Sequence, residues 1–207
     1  MRLYYAPGSC ALSPHIVARE AGLPVEISRV SFSPEGRTTE QGENYFEVNP
    51  KGGYVPALRL DDGSVLMEGA AIIQYLGDQA PEKHLSPEKG TVQHYHLLEW
   101  IAFISTELHK GFGPLFRADL PDTEKEPVVA KLKKRLSYVN ETLEGKDYLL
   151  GDFSIADAYC YTILRWSSRG SIELKEFSNI YAYMKRMEAR EGVSTALAEE
   201  GLEAYTA

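Results

Sequence analysis

Cysteine is nearly absent: the 207 residues contain two, Cys10 and Cys160, in segments of unlike pattern. Two cysteines cannot build the disulfide framework of a small secreted domain, so the chain is expected in a reducing compartment, the cytoplasm. Long apolar runs are missing as well. Met1-Arg2-Leu3-Tyr4-Tyr5 meets Pro7-Gly8 before a signal-peptide core can develop, and Leu97-Leu98 is followed at once by Glu99, so neither a leader nor a membrane span is expected. Nor is there a basic tract. The net charge of −8 is negative in both parts of the chain, which excludes the electrostatic footprint of a nucleic-acid or anionic-membrane binder. An anionic small substrate would have to be held by local donors, such as helix N-termini and a few placed cations, against that field. No internal repeat and no metal-ligand spacing is present. His94 and His96 are two apart, on different faces of any helix, and His15 and His84 join no cluster, so no metal is expected.

The composition is 43% hydrophobic and 25% charged, that of an ordinary globular protein, and the length allows one large domain or two small ones. Residues 1–79 alternate between strand and helix patterns in the order βαβ, then αββα, which reads as a small α/β domain. A first helix from about Cys10 stops at Gly22 and Pro24, and Val25 to Val30 alternates with period two. Asp61-Asp62-Gly63-Ser64 between Ala57–Leu60 and Val65–Met67 is a hairpin signal, because Asp and Gly tolerate positive φ. A helix opens at Glu68-Gly69. Residues 80–90 have linker composition, and residues 91–207 read as all-helical. Leu97, Ile101, Ile104 and Leu108 form a core stripe, beside a smaller and more polar stripe of Leu98, Ala102, Ser105 and His109. A further helix spans about 124 to 143. Ser154 stands three residues before Asp157, a capping-box start for an apolar helix running to about Ser168, and two more helices are expected near 173–190 and 194–203.

Cys10 carries the most chemical information. An apolar strand, Leu3 to Ala6, runs into the turn Pro7-Gly8-Ser9, and the thiol follows where a helix starts. Unpaired N–H groups and the helix dipole at that position are expected to favour thiolate and to pull the pKa below its free value of ~8.5. Ser13 three residues later makes Cys10-Ala11-Leu12-Ser13 a C-x-x-C redox pattern whose second thiol is a hydroxyl. That points to chemistry with an external thiol.

These features together resemble the cytosolic glutathione transferases, most closely the bacterial beta class, over essentially the whole chain. The matching pieces are Tyr4-Tyr5-Ala6-Pro7-Gly8-Ser9-Cys10, Asn49-Pro50-Lys51-Gly52 leading to Val55-Pro56-Ala57-Leu58, Glu68-Gly69-Ala70-Ala71-Ile72, Glu107-Leu108-His109-Lys110-Gly111-Phe112, and the capping segment from Gly151 to Asp157. The resemblance implies a thioredoxin-like α/β N-terminal domain (1–79), a linker (80–90), an all-α C-terminal domain (91–207) and a homodimer. It also implies glutathione as co-substrate, with no further cofactor, and a small hydrophobic electrophile.

On the resemblance, Cys10 and His109 are the catalytic candidates. Val55, before a cis Pro56, would offer its backbone N–H and C=O to the cysteinyl part of glutathione, as an added strand does. Glu68 would take the γ-glutamyl ammonium, the N–H groups at Gly69 and Ala70 its carboxylate, and Arg37 the glycyl carboxylate. Phe112, Phe116, Arg165 and Trp166 would line the electrophile pocket. Ala11 and Ala102 stand where relatives often carry serine and asparagine, and Gly53-Tyr54 lengthens the turn before Val55 by one residue. Cys10 has two roles to choose between: donating a hydrogen bond to the glutathione thiolate, or forming a mixed disulfide with glutathione, which the expected low pKa favours. Tyr5 and Ser9 are alternative hydroxyl donors. The rival activities are a glutathione-dependent peroxidase or disulfide reductase, and a non-catalytic ligand-binding relative.

Overall fold

Strand β1 (Arg2–Tyr5) is buried on both faces at Leu3 and Tyr4, as the central strand of a sheet must be. In the computed structural model, which describes residues 1–205, it pairs parallel with β2 (Glu26–Ser33) and antiparallel with β4 (Ala57–Arg59). The sheet order is β3-β2-β1-β4-β5, with β3 (Gly36–Thr39) and β5 (Val65–Met67) as antiparallel edges. The Asp61–Ser64 hairpin forms as its residues predict. By contrast, β3 lies where the sequence reads as loop: its Gly-Arg-Thr-Thr has no apolar alternation, and pairing with β2 supplies the order that patterning does not.

Helix α1 (Leu12–Glu20) follows β1, α2 (Tyr45–Val48) is one turn, and α3 (Gly69–Asp78) leads to a short 3₁₀ turn at Pro81–Lys83. Their apolar faces cover the sheet, with Leu12, Ile16, Val17, Ile72, Ile73 and Leu76 fully buried.

The chain divides into two compact units, one of Met1–Leu85 with Glu191–Ala204, the other of Ser86–Arg190 with Tyr205. The expected all-helical span of 91–207 therefore loses 191–204 to the α/β unit. Helix α9 (Glu191–Glu200) packs on α1 through Val193, Ala196 and Leu197, and its Glu199 and Glu200 hold the buried His15 at 2.6 and 3.0 Å. Periodicity announces such an apolar face but not the partner that covers it.

The second unit is helical. Helix α4 (Val92–Phe103) continues as a π-helical turn (Ile104–His109) and a last turn, α5 (Lys110–Phe112). The core stripe Leu97, Ile101, Ile104 and Leu108 is buried as its spacing predicts. Helix α6 (Asp122–Thr142) buries Leu132, Leu136 and Val139, and α8 (Ser178–Glu188) buries Ile180, Tyr183, Met184 and Met187. At the centre lies α7 (Ile155–Leu164), every residue of which is buried. Its start is the expected capping box: the fully buried Asp157 carboxylate accepts the N–H and hydroxyl of Ser154 and the N–H of Leu149, each at 2.9 Å. No described helix is long and apolar enough to cross a membrane.

Candidate active site

The turn after β1 delivers Cys10 two residues before α1 begins. Its Sγ points at the carbonyl of Val55, 3.4 Å away, and donates to it. The expected low pKa is overturned. Burial raises the thiol to about 11, the negative charge of Glu68 pushes in the same direction, and the residue's own backbone N–H opposes them only in part. The donors expected to stabilise a thiolate are already used. Ala11 N–H bonds Ser9 Oγ, Leu12 N–H bonds Ser9 O and Ser13 N–H bonds Cys10 O, at 3.2, 3.1 and 3.2 Å. Cys10 is thus a neutral thiol that donates. Its alkylation by iodoacetamide should be slow at pH 7, rising about tenfold per pH unit towards an inflection near 11, because only the thiolate reacts. An inflection below 8.5 would return Cys10 to the nucleophilic class.

Val55 precedes a cis peptide bond to Pro56, as expected. A Cβ built on Gly69 would stand 3.5 Å from Pro56 Cγ, so the start of α3 lies directly against this turn. Glu68, just before α3, adopts φ 70° and ψ 112°, a conformation that costs of order 1–3 kcal/mol for a residue with a side chain and is concentrated at functional sites. Its carbonyl accepts Ala71 and Ile72 N–H. Gly69 and Ala70 N–H carry no bond to another described residue, and the Glu68 side chain is exposed. Cys10, Val55, Pro56, Glu68 and Gly69 are therefore brought together within the α/β unit.

Arg37 sits to one side of them. Its guanidinium lies over the rings of Phe32, Phe46 and Tyr54, at 4.9, 5.5 and 5.2 Å, and donates to the Gly52 carbonyl. Gly53 (φ +63°) is what admits it, since a Cβ there would fall 2.8 Å from Arg37 Nη1. The longer Gly53-Tyr54 turn thus serves as a seat for the arginine.

In the helical unit the structure gathers His109, Phe112, Phe116 and Trp166. The Trp166 ring meets His109, Phe116 and Phe112 edge-on, at 5.0, 4.9 and 6.4 Å. Phe112 is fully buried and supports the tryptophan from behind; Phe116 is 44% exposed and offers a face. Arg165 is turned to Tyr161 Oη at 3.0 Å and lies 3.9 Å from Glu188. His109 Nδ1 lies 2.7 Å from Tyr159 Oη, and burial pushes its imidazole pKa down to about 4, so it is uncharged at neutral pH. Sequence reasoning missed Tyr159, which is 50 residues away. It also missed Glu200, whose buried carboxylate accepts Gly8 N–H at 3.0 Å and so anchors the turn carrying Cys10. Neither has a local signal.

Comparison with known proteins shows the family. The glutathione S-transferase N-terminal domain model matches residues 8–79 and the C-terminal domain model residues 103–191. The chain belongs to the glutathione S-transferase family. It is 46% identical to glutathione S-transferase GstA of Escherichia coli O157:H7, over 98% of this chain and all of that one. Among solved structures it resembles a ternary complex of BphK, a bacterial transferase (48% identity, TM-score 0.92, 98% of this chain and all of that one). It also resembles a beta class transferase of Sphingomonas chungbukensis (36%, TM-score 0.91, same coverage). The protein is accordingly a glutathione transferase with the family's fold, most similar to the bacterial beta class.

Proposed function

We propose that this transferase binds reduced glutathione in its α/β unit and conjugates it to small hydrophobic electrophiles. The observation that carries the reading is the meeting of a donating thiol, an open peptide edge and a helix start at Cys10, Val55 and Gly69. The cysteinyl backbone of glutathione pairs with Val55 as an added strand. Its γ-glutamyl carboxylate meets Gly69 and Ala70 N–H, and its ammonium meets Glu68. Arg37, held by its three rings, is the cation available to the glycyl carboxylate.

A protonated Cys10 suits the donating role. On binding, its single S–H proton turns from the Val55 carbonyl to the glutathione thiolate and stabilises it, which lowers the pKa of that bound thiol. The thiolate then attacks the electrophilic carbon and the leaving group departs. The nucleophile comes with glutathione, so no further cofactor is invoked. Within the helical unit by itself, Phe116 and Trp166 form an aromatic surface of the chemistry that suits an apolar electrophile, with His109 against Trp166 as a neutral imidazole.

We further propose a homodimer. The helical unit carries an open cleft of 360 Å³ where Trp100 stacks on Tyr138 at 5.7 Å and Phe103 meets both edge-on, a surface suited to a second copy. Both cysteines are free thiols, which fits a reducing cytoplasm.

Calorimetry with glutathione, on a sample sedimenting at twice the 23.1 kDa chain mass, tests the assignment. Glu68→Gln should weaken glutathione roughly tenfold, since a charge-assisted hydrogen bond contributes ~1.5–3 kcal/mol. Wild type that neither binds glutathione at millimolar concentration nor conjugates an aryl halide would sink the reading.

A further inference from the structure

We propose that Tyr45 and Asn49 are positioning residues for glutathione, acting through the carbonyl of Tyr54. Tyr45 Oη donates to that oxygen at 3.0 Å and Asn49 Nδ2 at 2.8 Å, so both lone pairs of one carbonyl are engaged by buried side chains. The Tyr54 ring, by contrast, is 69% exposed with the Arg37 guanidinium lying over it, whereas the residue's carbonyl is held by two buried donors.

The consequence follows from peptide geometry. Tyr54 C=O and Val55 N–H belong to the same planar peptide unit, and in a trans unit they point in opposite directions. Two donors that hold the oxygen on the protein side therefore aim the N–H away from it. Val55 N–H carries no bond to another described residue, so it is an open, oriented donor. The carbonyl of the same residue receives the Cys10 thiol. Val55 thus presents one free donor and one acceptor with a lone pair to spare.

The two clamping side chains are themselves fixed. Tyr45 is fully buried in the cluster of Tyr4, Val30, Val48 and Ala57, and burial raises its hydroxyl pKa, so the O–H remains a donor throughout the working pH range. Asn49 Oδ1 accepts Lys51 N–H at 3.1 Å, and its backbone carbonyl accepts Gly53 N–H at 3.0 Å, which defines both its amide orientation and the loop leading to Val55. The clamp adds no contact to glutathione. It removes the rotational freedom that the Val55 peptide would otherwise lose on binding, which is preorganisation.

This inference rests on the reading that glutathione pairs with Val55, and the test separates the two. Glutathione binding to wild type, Tyr45→Phe and Asn49→Asp is measured by calorimetry, and conjugation kinetics are run with each substrate varied. Tyr45→Phe removes one donor and little else; Asn49→Asp removes the other, keeps the Oδ1 acceptor for Lys51 and turns a carboxylate oxygen towards the Tyr54 carbonyl. Each should raise the glutathione dissociation constant and its KM roughly three- to tenfold, the effect of one neutral hydrogen bond, with Asn49→Asp at the upper end of that range. The electrophile KM and the kcat at saturating glutathione should stay unchanged. In ¹⁵N-labelled wild type, the Val55 amide proton should move downfield on glutathione addition. If wild type does not bind glutathione, the underlying assignment fails. If it binds but the Val55 amide does not move, or if folded variants bind as wild type does and lose only thermal stability, the clamp is structural and the inference is wrong.

Discussion

Asp157→Ala is expected to destabilise the helical unit by about 4 kcal/mol. The carboxylate is fully buried and accepts three bonds, from the N–H of Leu149, the N–H of Ser154 and the Ser154 hydroxyl. Alanine removes the acceptor and leaves two buried backbone donors without a partner, each costing roughly 1–3 kcal/mol; the hydroxyl can rotate to another acceptor. The helix it starts is the most buried in the unit, so fraying there opens the core around Ile155 and Tyr159. Against a total stability of ~5–15 kcal/mol, such a loss should appear as a shift in the urea midpoint with the slope unchanged. A loss below about 1 kcal/mol would show that water or another donor arrangement replaces the carboxylate.

Burial also raises the Asp157 pKa to about 6, against the pull of those three donors. A carboxyl whose folded pKa lies above its unfolded value adds stability below the unfolded pKa and loses it as pH rises through the folded value. The Asp157→Ala deficit should accordingly be smaller at pH 7 than at pH 4.

Gly192→Ala is expected to destabilise the α/β unit by about 2 kcal/mol, although alanine is the better helix former by ~1 kcal/mol. Gly192 lies in the first turn of α9, and a Cβ there would stand 2.8 Å from the backbone nitrogen of Glu20 and 2.7 Å from its Cγ. The side-chain contact could yield by rotation, but the backbone contact cannot. Helix α9 would have to lift from α1, loosening Val193, Ala196 and Leu197 and the bonds of Glu199 and Glu200 to His15. Overpacking of this kind costs ~1–3 kcal/mol. Thermal denaturation monitored by circular dichroism checks it. A stabilised variant would mean that α9 is displaced at little cost.

The elements written correctly in the sequence are those decided within a few residues. The Asp61–Ser64 hairpin, the Gly22–Pro24 stop, the Ser154–Asp157 cap and the 4-3-4 stripe from Leu97 to Leu108, which runs through α4 into the π-helical turn, depend on local φ preferences, on short-range hydrogen bonds or on helix period, and all are legible without a fold. The family was legible for the same reason, because its motifs are short segments in fixed order. The edge strand β3 was not, since its order comes from β2. Nor was the placement of α9, because an apolar stripe states how much surface must be buried and not which surface buries it.

The site divides along the same line. That Cys10, Val55, Pro56, Glu68 and Gly69 belong together could be read from the family resemblance, which implies it from short motifs in fixed order, Cys10 and Glu68-Gly69 at helix starts and Val55-Pro56 just before a strand. The charge state of the thiol could not. Its position suggested a thiolate, but a pKa is set by solvent access and by the groups that claim the nearby donors, and here burial outweighs the helix start and raises the pKa to about 11. His109 is likewise uncharged at neutral pH because of what packs around it. The Tyr54 carbonyl acquires two donors only when Tyr45 and Asn49 fold back on it. The sequence determined which residues stand at the turns and helix starts, because those are local backbone preferences. Tertiary structure decided which of them are charged, aimed or held, because desolvation and hydrogen-bond partnership depend on atoms that the chain brings together only by folding.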